Sequence, residues 1–272
     1  RIFPNYCGAY VDLTKYDDIH AVKDTSAKPQ NGAGFTLYRY DETAEKWVEA
    51  ATGITGTTGV ETETGADGKI HFVVDGGSKY ALKETTVPQD YLGLEGIYTD
   101  PDDQKVTTDA NDSQLYVLNN GNPIEAGQTY TYKAYDIPKL PLEIQKHNVL
   151  DKDEALTATA ALYEVPDGVL TEDSTDEDVS NFLNGGDSGQ KPAAIISNIS
   201  VSKERKENGE TYTYADSGSL GTALTAGKTY LVLETGASVS QIRDNEQVEW
   251  YDVFTVPANA SKDYKQTAHL RN

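Results

Sequence analysis

The stretch Tyr10-Val11-Asp12-Leu13-Thr14-Lys15-Tyr16-Asp17 alternates apolar and polar residues with a period of two, and the rhythm resumes at Gly34-Phe35-Thr36-Leu37-Tyr38-Arg39-Tyr40. Successive side chains of a strand point to opposite faces, so this is the pattern of half-buried strands. Further strands are predicted at Lys69 to Val74, Lys79 to Glu84, Leu115 to Leu118 and Thr129 to Tyr135. Between them stand Ala66-Asp67-Gly68, Asp75-Gly76-Gly77 and Asn119-Asn120-Gly121-Asn122-Pro123, which supply the residues that tight turns require. A chain with 18 Tyr and 23 Gly suits strands joined by turns, and the fold is expected to be all-β.

The run Asp136-Ile137-Pro138-Lys139-Leu140-Pro141 holds two prolines, which cannot donate to a sheet ladder, and alternation restarts at Leu142-Glu143-Ile144-Gln145-Lys146. A boundary there gives one domain over residues 1–138, with 1–9 as a tail, and a second over 139–272; a length of 272 residues suits two cores. The second half repeats the first in outline. Lys146 sits in an opening strand as Lys15 does, Ala160-Ala161-Leu162-Tyr163-Glu164 echoes Ala33 to Tyr38, and Gly227-Lys228-Thr229-Tyr230-Leu231-Val232-Leu233-Glu234-Thr235 echoes Gly77 to Thr85. Val179, Phe182 and Leu183 fall at helical spacing and predict a short helix over Glu177 to Leu183.

Composition removes several classes of function. With 23 basic against 44 acidic residues the chain carries −21, which repels nucleic-acid phosphates and anionic lipid. A single cysteine, Cys7, excludes a disulfide framework and a Cys-based zinc site; it is expected to be a free thiol in the N-terminal tail. No run approaches the ~18 apolar residues of a spanning helix, and Arg1-Ile2-Phe3-Pro4 lacks the apolar run of a signal peptide. Without a Met at position 1, the expectation is a mature or trimmed soluble piece with no membrane insertion. His20, His71, His147 and His269 are scattered and form no recognisable zinc or Ser-His-Asp pattern, and the acidic runs Glu172 to Asp178 and Asp100 to Asp103 follow no EF-hand spacing. No phosphate-binding glycine loop is present, so neither metal nor cofactor is expected.

The opening-strand lysine, the phrase Gly32-Ala33-Gly34-Phe35-Thr36-Leu37-Tyr38 and the phrase Tyr80-Ala81-Leu82-Lys83-Glu84-Thr85, each with a counterpart in the second half, resemble the Cna-B type (SpaA-like) domains of Gram-positive pilins and wall-anchored surface proteins. The resemblance implies two tandem immunoglobulin-like β-sandwiches. It also implies an amide bond within each, joining a first-strand Lys to a last-strand Asn or Asp and promoted by a central-strand Glu. Carried across, the trios are Lys15, Glu84 and Asp136 in the first domain, and Lys146, Glu234 and Asn272 in the second. Asp136 replaces the more usual Asn, and Asn272 as the last residue fits a chain that continues into a sortase signal or wall tail.

These residue types suit that chemistry. A lysine amine is nucleophilic only when neutral, and burial disfavours its charge. A buried glutamate prefers to hold its proton and can polarise the carbonyl under attack. Holding amine and carbonyl in contact raises effective molarity to about 10⁵–10⁸ M. Water leaves from Asp, ammonia from Asn, and the reaction turns over once, on the chain itself. Weighed on strand alternation alone, both lysines read as solvent-facing; the matched partners in both halves favour the cross-link.

The resulting expectation is a non-enzymatic structural subunit or stalk, extracellular, on the pilus or cell wall of a Gram-positive bacterium. Its partners would be other pilin subunits or peptidoglycan, joined through sortase. Lys139 stands where some backbone pilins carry the lysine joined to the next subunit, within a Tyr-Pro-Lys phrase, but Ile137 replaces that Tyr and a linker lysine is the commoner reading. The alternative is an adhesin that binds host matrix or glycan through Tyr98 to Asn122 or the acidic loop 171–189.

Overall fold

In the computed structural model, residues 8–55, 68–216, 224–237 and 249–272 are described, and Cys7 lies outside them. Contacts divide the chain into two compact units, Arg1–Pro138 and Lys139–Asn272.

The first unit contains β1 (Gly8–Tyr16), β2 (Gly34–Asp41), β3 (Lys46–Ile54), β4 (Lys69–Asp75), β5 (Tyr80–Thr86), β6 (Tyr91–Thr99), β7 (Tyr116–Val117) and β8 (Thr129–Pro138). They form two four-stranded sheets, β4-β1-β8-β6 and β3-β2-β5-β7. In β1, Ala9, Val11, Leu13 and Lys15 are all buried, so the strand begins two residues inside the expected tail. Ala9 keeps the parity of Val11 and Leu13, which is why the alternation reaches back that far. The core between the sheets includes Val11, Leu13, Phe35, Leu37, Phe72, Leu82, Ile97 and Tyr132.

The second unit contains β9 (Leu142–His147), β10 (Ala158–Val165), α1 (Asp176–Leu183), β11 (Ile196–Val201), β12 (Lys203–Glu207), β13 (Glu210–Asp216), β14 (Thr229–Ala237), β15 (Tyr251–Thr255) and β16 (Gln266–Arg271). Its sheets are β12-β13-β9-β16 and β11-β10-β14-β15, with Leu142, Ile144, Leu162, Val232, Phe254 and Leu270 in the core. The acidic run 172–178 has a structural use. Thr175 caps α1 in a reciprocal box with Asp178, and Asp176, Glu177 and Asp178 complement the positive end of the helix dipole. The inner side of α1, Val179 and Phe182, covers Leu231, Leu233 and Val253 on the outer face of the second sheet. Both faces of β14 are therefore covered, which accounts for its continuous apolar run.

In each unit the first and last strands are parallel neighbours: β1 with β8, and β9 with β16. Sequence periodicity cannot supply that pairing, and it places the opening lysine beside the end of the domain.

Candidate functional site

The two trios are assembled by matching registers. Lys15 lies opposite Ala134 and Lys146 opposite Leu270; Asp136 and Asn272 each stand two residues further on, and therefore on the same face as those partners. On the facing sheets, Glu84 pairs with Phe35 and Glu234 with Ala160, and each pairing falls beside a β-bulge, at Gly34/Phe35 and at Thr159/Ala160. Glu84 continues the inward parity of Tyr80 and Leu82, and Glu234 that of Tyr230 and Val232, so both carboxylates point into the sandwich.

In the first unit the Lys15 and Asp136 side chains are wholly buried and Glu84 is 4% exposed. Lys15 Nζ makes a close ion pair with Asp136 Oδ1 and lies 3.6 Å from Glu84 Oε1. It also reaches Gln30 Oε1 and the Tyr16 carbonyl, each at 3.5 Å. None of the four carboxylate oxygens accepts a hydrogen bond of good geometry. Burial pushes the Glu84 carboxyl up to about 7, against the pull of Lys15 and with a push from Asp136. Burial likewise raises Asp136, with Lys15 opposing. Both shifts favour protonated acids beside an amine, the composition amide formation requires.

In the second unit Lys146 and Glu234 have wholly buried side chains, and Lys146 Nζ donates a short hydrogen bond to Glu234 Oε2. Asn272, also buried, donates from Nδ2 to Glu234 Oε1 at 3.3 Å, while its Oδ1 has no hydrogen-bond partner. Burial lowers the Lys146 pKa, with Glu234 opposing. Glu234 therefore bridges the nucleophile and the amide it would attack.

The structure brings all six residues into two sites and leaves Lys139 apart, exposed between β8 and β9. The two aromatics of the expected loop insertion, Tyr98 and Tyr116, are buried, so they present no exposed ring to a ligand. Tyr116 belongs to the core of the first unit, while Tyr98 is covered by His20, which stacks on it, and by Tyr135, which meets it edge-on. Sequence reading missed two supports of Lys15. Gln30 donates its N–H to the Lys15 carbonyl at 2.9 Å, and the Lys15 N–H donates to the Gly68 carbonyl at 2.7 Å. Gly68 has a φ of +70°, and a Cβ there would stand 2.7 Å from the Lys15 carbonyl oxygen. Its place in a turn signalled a glycine, but its contact with the lysine depends on tertiary pairing. The histidines read as scattered are not all separate: His147 and His269 meet across β9 and β16, and His147 is linked to Glu210.

Each of the two β-sandwiches encloses a buried lysine, a glutamate and a carboxyl or amide between its first, last and central strands. Residues 18–121, most of the first unit, match the family model of the SpaA prealbumin-like fold domain, so the first unit contains a SpaA-like domain. No curated protein matches the chain. Among solved structures, the shaft pilin SpaA from Lactobacillus rhamnosus GG is similar at 14% identity, over 97% of this chain and 96% of that one, with a TM-score of 0.35. GBS52, the minor pilin of Streptococcus agalactiae, is similar at 12% identity over 97% and 95%, with a TM-score of 0.36. The Bacillus anthracis TIE protein is similar at 15% identity and a TM-score of 0.34; the chain is covered to 97% and spans 33% of the length of that protein.

Proposed function

We propose that the chain is a structural subunit or stalk of a Gram-positive pilus or wall-anchored surface protein, each domain locked by an internal amide, Lys15 to Asp136 and Lys146 to Asn272. The observation that carries this is the recurrence of the buried trio at the same register in both units. The SpaA-like family match over the first unit supports it. Once neutral, the lysine amine attacks the side-chain carbonyl carbon, a tetrahedral intermediate forms, and its collapse releases water from Asp136 or ammonia from Asn272. Because β1 and β8, and β9 and β16, lie side by side, such a bond lets tension entering on the first strand leave on the last without unzipping the sheets between. Assembly with other subunits or peptidoglycan through sortase, at the bacterial surface, belongs to the same reading.

The test is intact mass. The chain is expected to be lighter than its sequence mass by one water and one ammonia. An unmodified mass refutes the mechanism; loss of ammonia alone keeps Lys146 to Asn272 and removes Lys15 to Asp136.

A second reading, ligand binding, draws on an open groove of 840 Å³ beside α1, lined by Val169, Asn181, Phe182, Ser188, Gln190 and Lys191 among others. It overlaps the acidic loop. Saturable binding of a matrix protein or glycan, abolished by Asn181→Ala with Gln190→Ala, would support it, and no binding across such a panel would refute it.

A further inference from the structure

The outer face of the β12-β13-β9-β16 sheet carries a separate cluster on β9 and β16, on the side of these strands opposite the trio. Parallel pairing sets Gln145 opposite His269, with His147 two residues along β9. His147 Nδ1 lies 2.8 Å from Glu210 Oε1. A carboxylate can only accept, so Nδ1 carries the proton and Nε2 of the neutral ring presents a lone pair. That lone pair faces Gln145 Oε1 at 3.1 Å and His269 Nδ1 at 3.3 Å. The Gln145 amide is fixed in this sense, because its nitrogen donates to Glu143 Oε1 at 2.6 Å and Glu143 is itself gripped by both terminal nitrogens of Arg205, at 2.9 and 3.1 Å. A proton on His269 Nδ1 satisfies His147 Nε2 but leaves Gln145 Oε1 against a lone pair.

A positive centre relieves the conflict, and the spacing suits a metal ion. Zinc binds imidazole nitrogen at about 2.0–2.1 Å, and two donors at the tetrahedral angle then stand about 3.3 Å apart. Glu210 on the far nitrogen of His147 is the carboxylate–histidine arrangement that orients metal-bound imidazoles. The nearby cations are already paired, Arg205 with Glu143 and Arg271 with Glu249. Among the described residues no three His, Cys, Asp or Glu side chains form a metal-binding group, and here the third donor is an amide oxygen.

We propose that His147 Nε2, His269 Nδ1 and Gln145 Oε1 form a site for a divalent transition-metal ion of the zinc class, with its remaining position open to solvent. Such an ion ties β9 to β16 from outside the sandwich, across the strand pair that Lys146 and Asn272 span from inside.

The experiment is calorimetric titration of Zn²⁺ into the untagged full chain at neutral pH. One saturable site is expected, weakened about tenfold or more in His147→Ala and His269→Ala, weakened about 10–100-fold in Glu210→Gln, and unchanged in the distant His71→Ala. Circular dichroism checks that each variant is folded. In the unmutated protein, Co²⁺ should broaden the ring resonances of His147 and His269 before those of His20 and His71. Absence of saturable binding, binding undiminished in folded His147→Ala, or broadening first at His20 or His71 overturns the proposal. A His147 ring that titrates well above the usual range without binding metal also overturns it, because a proton then fills the gap.

Discussion

Replacing Glu234 with alanine removes a group that touches both ends of the proposed bond in the second unit, Lys146 Nζ and Asn272 Nδ2. An ammonium left unpaired at that depth costs on the order of 3–5 kcal/mol, so Lys146 sheds its proton and the nucleophile survives. The proton donor does not. Proton transfer by a positioned side chain contributes about 10²–10⁴-fold, and bond formation in this unit should slow by that factor. The consequence for stability follows from chain topology. A bond from Lys146 to Asn272 closes a loop of about 125 residues, for which the loop-entropy model gives about 5 kcal/mol. Spread over a domain of this size, that shifts the melting midpoint by on the order of 15–20 °C.

Peptide mapping reads the bond, and scanning calorimetry reads the midpoint, with the first unit as internal control because its trio is untouched. Folding should persist, since Glu234→Ala leaves the cores of both units intact. A Lys146–Asn272 linked peptide at full yield in Glu234→Ala, or an unmoved melting transition, would show Glu234 to be an ordinary buried glutamate. The same logic applies to Glu84→Ala and the Lys15–Asp136 peptide.

Two further outcomes are expected. In newly synthesised chain, the rate of Lys15–Asp136 bond formation should fall as pH rises through about 7, because Glu84 is a proton-donating acid below that pH and a carboxylate above it; a rate still climbing well above neutrality refutes this role for Glu84. Gly68→Ala puts a Cβ against the Lys15 carbonyl at a left-handed position and should destabilise the first unit by about 2–4 kcal/mol while lowering its linked-peptide yield. Wild-type denaturant midpoint and yield would show that the contact is relieved at little cost.

Both sites were legible because three local phrases recur in the same order, and parity explains why they converge. Lys15 shares the face of Val11 and Leu13, and Lys146 that of Leu142 and Ile144, so the alternation that suggested solvent-facing lysines in fact directs them inward. Other strands left little trace. In β12 the run Lys203-Glu204-Arg205-Lys206-Glu207 is charged throughout because it is a sheet edge with little core to cover. In β6 the register shifts twice against β8, and Gly93 and Gly96 interrupt the alternation. The pairing of His147 with His269 joins residues far apart in the chain through a parallel strand contact, for which no local pattern exists.

The two sites share a register but would differ in the protons that the proposed bond formation needs. Loss of water from Asp136 requires a neutral carboxyl, because a carboxylate resists attack by an amine; the first unit therefore needs Asp136 and Glu84 both protonated, and burial raises both. Asn272 is neutral at the outset. There the requirement falls on the leaving nitrogen, which must be protonated to depart as ammonia, and Glu234 contacts that nitrogen on one oxygen and the amine on the other. A proton passed from Lys146 to Glu234 frees the nucleophile and supplies the acid that the departing Nδ2 takes up, so the second unit needs one protonated carboxyl where the first needs two. Bond formation in the first unit should consequently fall more steeply with rising pH than in the second. Asp136→Asn, which removes one of those two requirements at an unchanged register, should bring the pH profile of the first unit toward that of the second.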